Sequence, residues 1–88
     1  MMPAISMFFG IIIRMYLGKK DHNPPHFHAS YQDSKGIFDI NKCEKLEGDI
    51  PPKQVKLIEA WAELHKEELF ADWELAQGND LPFKIDPL

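Results

Sequence analysis

At Asp49-Ile50-Pro51-Pro52 the periodicity of the chain changes, and this boundary limits the folds open to it. Proline lacks the N–H that an interior helical turn uses but is tolerated in the first turn, so Pro51-Pro52 marks a helix start. Downstream, Val55, Ile58, Trp61, Ala62, Leu69, Trp73 and Ala76 fall on one stripe of a helix, with His65 inside it. Gln77-Gly78-Asn79 supplies a stop and Pro82 prevents continuation. Upstream the pattern is that of strands. The run Met7 to Leu17, rich in Phe and Ile, reads as a first strand, with Ile11, Ile13, Met15 and Leu17 on one face and Ile12, Arg14 and Tyr16 on the other. A second strand runs from about His26 to Tyr31. A loop over Gln32 to Gly36 leads to a third, Ile37 to Ile40, and a turn over Asn41 to Cys43 to a short fourth, Glu44 to Glu47.

The expected fold is therefore α+β. A small antiparallel β-meander of three to four strands, about 7–47, packs against one long C-terminal helix, about 51–76, with a short tail over 77–88. Met1 to Ser6 reads as disordered, and Phe83 and Ile85 could add an edge strand. Leu57, Leu64 and Leu75 widen the helix's apolar sector, as a broad core stripe or as a protein interface.

Eighty-eight residues make one domain with a modest core, which a partner or self-association into a homo-oligomer would help to stabilise. Hydrophobic content of 44% is that of a folded chain rather than a disordered one. The single cysteine, Cys43, cannot form an internal disulfide, which fits a reducing cytoplasm and excludes a Cys-rich zinc knuckle. Ile5 to Leu17 is apolar, but no basic residue precedes it, Arg14 interrupts it and no small-x-small site follows, unlike a signal peptide. It is also too short to span a bilayer, so a cytoplasmic protein without a membrane segment is expected. Residues 1–36 carry four cations against two carboxylates, whereas residues 37–88 carry six lysines against twelve carboxylates. The basic half admits an anionic ligand but lacks the basic patch of an autonomous nucleic-acid-binding module.

The basic half also holds Asp21-His22-Asn23-Pro24-Pro25-His26-Phe27-His28, with three of the four histidines. The prolines stiffen the approach to the second strand, whose alternation aims His26, His28 and Ser30 to one side. Three readings stay open. His22, His26 and His28 could hold a divalent metal such as zinc, with Asp21 as a fourth ligand, or with Asp39 or His65 from further along the chain. Without metal, His26 and His28 could move protons while Arg14 stabilises negative charge on phosphate, a set suited to RNA cleavage by 2′-hydroxyl attack. Tyr16, Asp21 and Ser30 would then contact substrate, with Tyr16, Phe27 and Tyr31 offering stacking surfaces. In the third reading the segment is structural, Asp21 and His22 capping a turn and the imidazoles bonding to backbone.

The segments Ile5-Ser6-Met7-Phe8, Ile13-Arg14-Met15-Tyr16, Asp21-His22-Asn23-Pro24-Pro25-His26-Phe27-His28-Ala29 and Trp61-Ala62-Glu63-Leu64-His65 resemble the bacterial family catalogued as domain of unknown function 4160. The resemblance implies a neighbour of the kind catalogued as domain of unknown function 2442, in pairs treated as toxin–antitoxin modules with this family as the toxin. It implies a small antitoxin-like protein partner. It assigns no catalytic role to Asp21, His22, Pro24, Pro25, His26, Phe27 or His28.

Overall fold

The computed structural model describes residues 2–18 and 24–88. Five strands form one antiparallel sheet in the order of the chain: β1 (Ala4–Phe8), β2 (Ile11–Arg14), β3 (His26–Tyr31), β4 (Ser34–Asp39) and β5 (Glu44–Gly48). Two helices follow, α1 (Pro52–Leu64) and α2 (Lys66–Gln77). The architecture is α+β as expected, but it has one strand more than the widest expectation and two helices instead of one.

The extra strand comes from a turn inside the first apolar run. Phe8 pairs with Ile11, leaving Phe9 and Gly10 as a two-residue loop. Both have positive φ, 49° and 78°, as in the mirror-image turns whose twist suits antiparallel hairpins. Gly10 takes this conformation without the steric cost a Cβ brings. Residues 4–6, expected to be disordered, instead belong to β1, with Ile5 fully buried. A register shift between Ala4 and Ser6 lets both Ile5 and Ser6 face inward.

β3 has the expected bounds. β4 begins at Ser34, three residues before Ile37, because Tyr31 pairs with Ser34 and the loop shrinks to Gln32-Asp33. Gln32 adopts a φ of 53° that closes this loop. β5 runs one residue further than expected, to Gly48. There φ is 117°, and a Cβ would run into the Lys35 carbonyl oxygen and the Gly36 Cα. Gly48→Ala is therefore expected to cost ~2–3 kcal/mol in urea unfolding, through strain and a displaced β4–β5 edge.

The helix break lies at His65, with φ −120° and ψ 26°. Its N–H is shared between the Trp61 and Ala62 carbonyls, at 3.1 and 3.2 Å. Its Nδ1 lies 2.6 Å from Glu68 Oε1, a local side-chain bond that competes with a continuous helix. The break does not disturb the buried stripe. Ala62 and Leu69, seven residues apart, remain on the same face as Ile58, Trp61 and Ala76. Of the flanking leucines, Leu57 packs against the core while Leu64 is 72% exposed.

The helices cover the sheet face bearing Phe8, Ile11, Ile13, Phe27 and Phe38. Phe27 stacks on Phe38, with ring centroids 5.4 Å apart, and Trp61 packs against Phe8 and edge-on to Phe27 at 5.4 and 5.7 Å. Cys43 lies in this core; burial, reinforced by Glu63, pushes its thiol up to about 11, so it stays protonated near neutrality.

α2 ends in a Schellman motif, but the positive φ, 65°, falls on Asn79 rather than on Gly78. Asp80 N–H donates to the Leu75 carbonyl at 2.9 Å and Asn79 N–H to that of Ala76 at 3.0 Å. The tail then runs beside β1 without forming a strand. Ile85 N–H donates to the Ile5 carbonyl at 2.8 Å, Lys84 Nζ to that of Ala4 at 3.0 Å, and Trp61 Nε1 to that of Asp86 at 2.8 Å. Ile85 is buried and Phe83 is exposed.

The tail is also held by Asp72, which the apolar stripe does not reveal. It is only 2% exposed, and its Oδ1 accepts the Phe83 N–H at 2.9 Å while Oδ2 has no hydrogen-bond partner. Burial raises its pKa above 3.8; the Phe83 bond opposes that rise, and Glu68 adds to it. Between the unfolded and the raised folded pKa, the native state holds the proton and the unfolded chain does not. Stability contributed by this group is thus fully present below the unfolded pKa and is lost as pH rises through that window. Urea midpoints taken across the acid range should show this fall, and Asp72→Asn, which keeps an oxygen for Phe83, should flatten it.

Candidate functional site

The sheet face opposite the helices is built by the same period-two alternation that builds the core. On β2, Ile11 and Ile13 point inward, leaving Ile12 and Arg14 outward; on β3, Phe27 and Ala29 point inward, leaving His26, His28 and Ser30 outward. Register then sets the neighbours. Arg14 pairs with His28, His28 with Ile37 and Ile37 with Glu47, so these four form one row across β2 to β5. Ile12, Ser30 and Lys35 form the adjacent row.

These rows line a groove of ≈ 340 Å³. Ile12 and Ile37 give it apolar floor, His28 and Ser30 occupy its centre, and Arg14 and Lys35 flank them from β2 and β4. Tyr16 and Glu47 stand at its margins. The Tyr16 ring meets His28 edge-on, with centroids 4.6 Å apart and planes at 90°. Among the described residues the one ion pair is His65 with Glu68, so Arg14, Lys35 and Glu47 are not ion-paired with one another.

Of the residues singled out in the sequence, Arg14, Tyr16, His28 and Ser30 are brought together. His26 stands at the end of the same face and does not line the groove. Its Nδ1 lies 2.8 Å from the Pro24 carbonyl, to which the protonated nitrogen donates, and its ring lies 5.2 Å from that of Trp73 and 5.4 Å from that of His28. Trp73, placed on the core stripe by periodicity, thus packs against an imidazole at the end of the sheet. Asp21 and His22, candidates for substrate and metal contact, lie outside the described residues. Among the described residues no three of His, Cys, Asp and Glu converge in a way that could hold a metal ion. Asp39, considered as a distant ligand, is buried and accepts the Asn41 N–H through Oδ1 at 2.8 Å, while His65 is occupied with Glu68.

Lys35 and Glu47 were not apparent from sequence. Starting the third strand at Ile37 consigns Lys35 to a turn, although Lys35 and Ile37 alternate with buried Gly36 and Phe38. Glu47 comes opposite Ile37 only because the β4–β5 register shifts between Ile37 and Phe38, an irregularity without a sequence signal.

The fold and groove define a small α+β protein with one sheet face covered by helices and the other lined by cations, an imidazole and apolar side chains. The chain belongs to the family described as Domain of unknown function (DUF4160), which it matches over residues 10–74, from the Gly10 turn through most of α2. No curated protein and no solved structure matches it. Among the described residues no helix is long and apolar enough to cross a membrane.

Proposed function

We propose that this chain is the toxin component of a bacterial two-component module and that its groove acts on RNA. The observation carrying this reading is the direct cross-strand pairing of Arg14 with His28, flanked by Lys35 and Ser30, in a groove large enough for a nucleotide. Two cations either side of an imidazole suit a phosphodiester: guanidinium and ammonium balance charge on the non-bridging oxygens, and an imidazole exchanges protons near neutral pH. In the step envisaged, His28 takes the proton of the ribose 2′-hydroxyl while a bond forms from O2′ to phosphorus. The bond from phosphorus to O5′ breaks, and the proton passes to the departing 5′-oxygen. The products are a 2′,3′-cyclic phosphate and a 5′-hydroxyl.

The test is incubation of the purified chain with single-stranded RNA, scored for fragments with cyclic-phosphate ends, beside growth arrest on expression. RNA left intact by a well-folded chain that nevertheless arrests growth would overturn the nuclease assignment. A second reading, a non-enzymatic binding module whose His/Pro segment is structural, is favoured by Leu64, a large apolar side chain left exposed at the helix break. It requires a stoichiometric complex with the neighbouring small protein that survives His28→Ala.

A further inference from the structure

The groove is not uniform along its row. It passes from a guanidinium at Arg14 through an imidazole and an apolar side chain to a carboxylate at Glu47, on four consecutive strands. At about 4.8 Å per strand, the Arg14 and Glu47 backbones are separated by roughly 14 Å across the sheet. Once both side chains reach inward, the remaining span is that of one nucleotide from phosphate to base edge. From this gradient we propose that the groove is selective for guanine nucleotides, with the phosphate over His28 and Ser30 and the base edge at Glu47. The inference rests on the reading of the groove as a phosphate site.

The chemistry follows from what a carboxylate can do. Ionised, it has two oxygens and accepts only, so it best matches a base edge that presents two adjacent donors. Guanine does so with N1–H and its exocyclic N2–H₂ group. Adenine and cytosine set an acceptor beside their amino group, and uracil flanks its single donor with two acceptors. Ile37, between His28 and Glu47, offers apolar surface to the face of the base. Arg14, two strands from Ile37, is too far toward the other end of the groove to favour one base over another, while Lys35 stands on β4 in the adjacent row; both attract the phosphate whatever base follows. A groove needing only negative charge would have no use for Glu47, which repels anions. Its place at the end away from Arg14 is what a zwitterionic arrangement of ligand donors and phosphate demands.

The test uses the full chain and the four ribonucleoside 3′-monophosphates, with inorganic phosphate as a control, followed through the histidine ring C–H resonances. Guanosine 3′-monophosphate is expected to bind about tenfold more tightly than the other three, the scale of one bidentate base contact. Glu47→Gln, an isosteric change on an exposed edge strand, should bring the four nucleotides close to parity, while inorganic phosphate should bind at least as tightly as before because a repelling charge is gone. Equal affinities in the unaltered chain, or a preference that persists in Glu47→Gln, would overturn the guanine assignment while leaving the phosphate site intact. Failure of any nucleotide or phosphate to perturb the ring resonances, or binding indifferent to Arg14→Ala, would overturn the phosphate reading itself.

Discussion

Replacing His28 by alanine is expected to lower the RNA cleavage proposed for the groove by roughly 10²- to 10⁴-fold, the range spanned by a positioned general acid or base. The residue is partly buried at the centre of the groove, opposite Arg14 on one strand and Ile37 on the other, so its loss removes the group proposed to transfer the proton without opening the core. Arg14→Ala should reduce the same rate by about 10²- to 10³-fold, the loss typical of one transition-state charge donor. The informative contrast is His26→Ala. That ring is held by the Pro24 carbonyl and Trp73 outside the groove, and its removal should affect the rate far less than that of His28. Rates are to be compared with circular dichroism of each variant. Equal losses at His26 and His28 would return the two histidines to a shared role.

Trp61→Ala is expected to destabilise the protein by ~3–5 kcal/mol, the usual cost of removing a buried aromatic ring. Trp61 is wholly buried, touches rings from β1 and β3, and bonds the tail through Nε1. Small domains have only ~5–15 kcal/mol in total, so the variant should be substantially unfolded on warming. Trp61→Phe separates the contributions. It retains much of the ring packing and leaves the Asp86 carbonyl without its donor, for a cost near 1 kcal/mol and a midpoint lowered by about 4–8 °C. Calorimetry on both variants would check the ordering.

These expectations depend unequally on what could be read without coordinates. The inward and outward faces of β2 and β3 were legible, because alternation of Ile11, Ile13, Phe27 and Ala29 with Arg14, His28 and Ser30 is a local consequence of strand geometry. For that reason Arg14 and Tyr16 could be assigned to one face of their strand and His26, His28 and Ser30 to one face of theirs; that the two faces coincide needed the β2–β3 register. The hairpin at Phe9-Gly10 was hidden by apolar residues on both sides of the turn, and the break at His65 by a buried stripe that stays in phase across it. Trp73 shows the reverse limit. Its spacing fits the core stripe and it does pack against the core, but its position near the end of α2 also carries it against His26, which spacing alone does not reveal. Lys35 and Glu47 needed the β4–β5 register, a relation between strands rather than within one.

The same register separates the timetable of the two faces. Every groove-lining residue precedes Asp49, and apart from Met2 all belong to consecutive hairpins or their flanks, joined by two-residue loops between β1 and β2 and between β3 and β4, and a four-residue loop between β4 and β5. The Lys84–Ala4 and Ile85–Ile5 bonds, by contrast, join positions 80 residues apart and cannot form until residues 84 and 85 have been made. Local hairpins close within microseconds, whereas such distant contacts pay the largest loop-closure entropy. A ribosome-bound chain can therefore sample its groove geometry before it acquires the clasp that joins residues 84–85 to β1. Emergence of the 84–86 tail, rather than assembly of the groove, is the step that locks the protein into its lasting form.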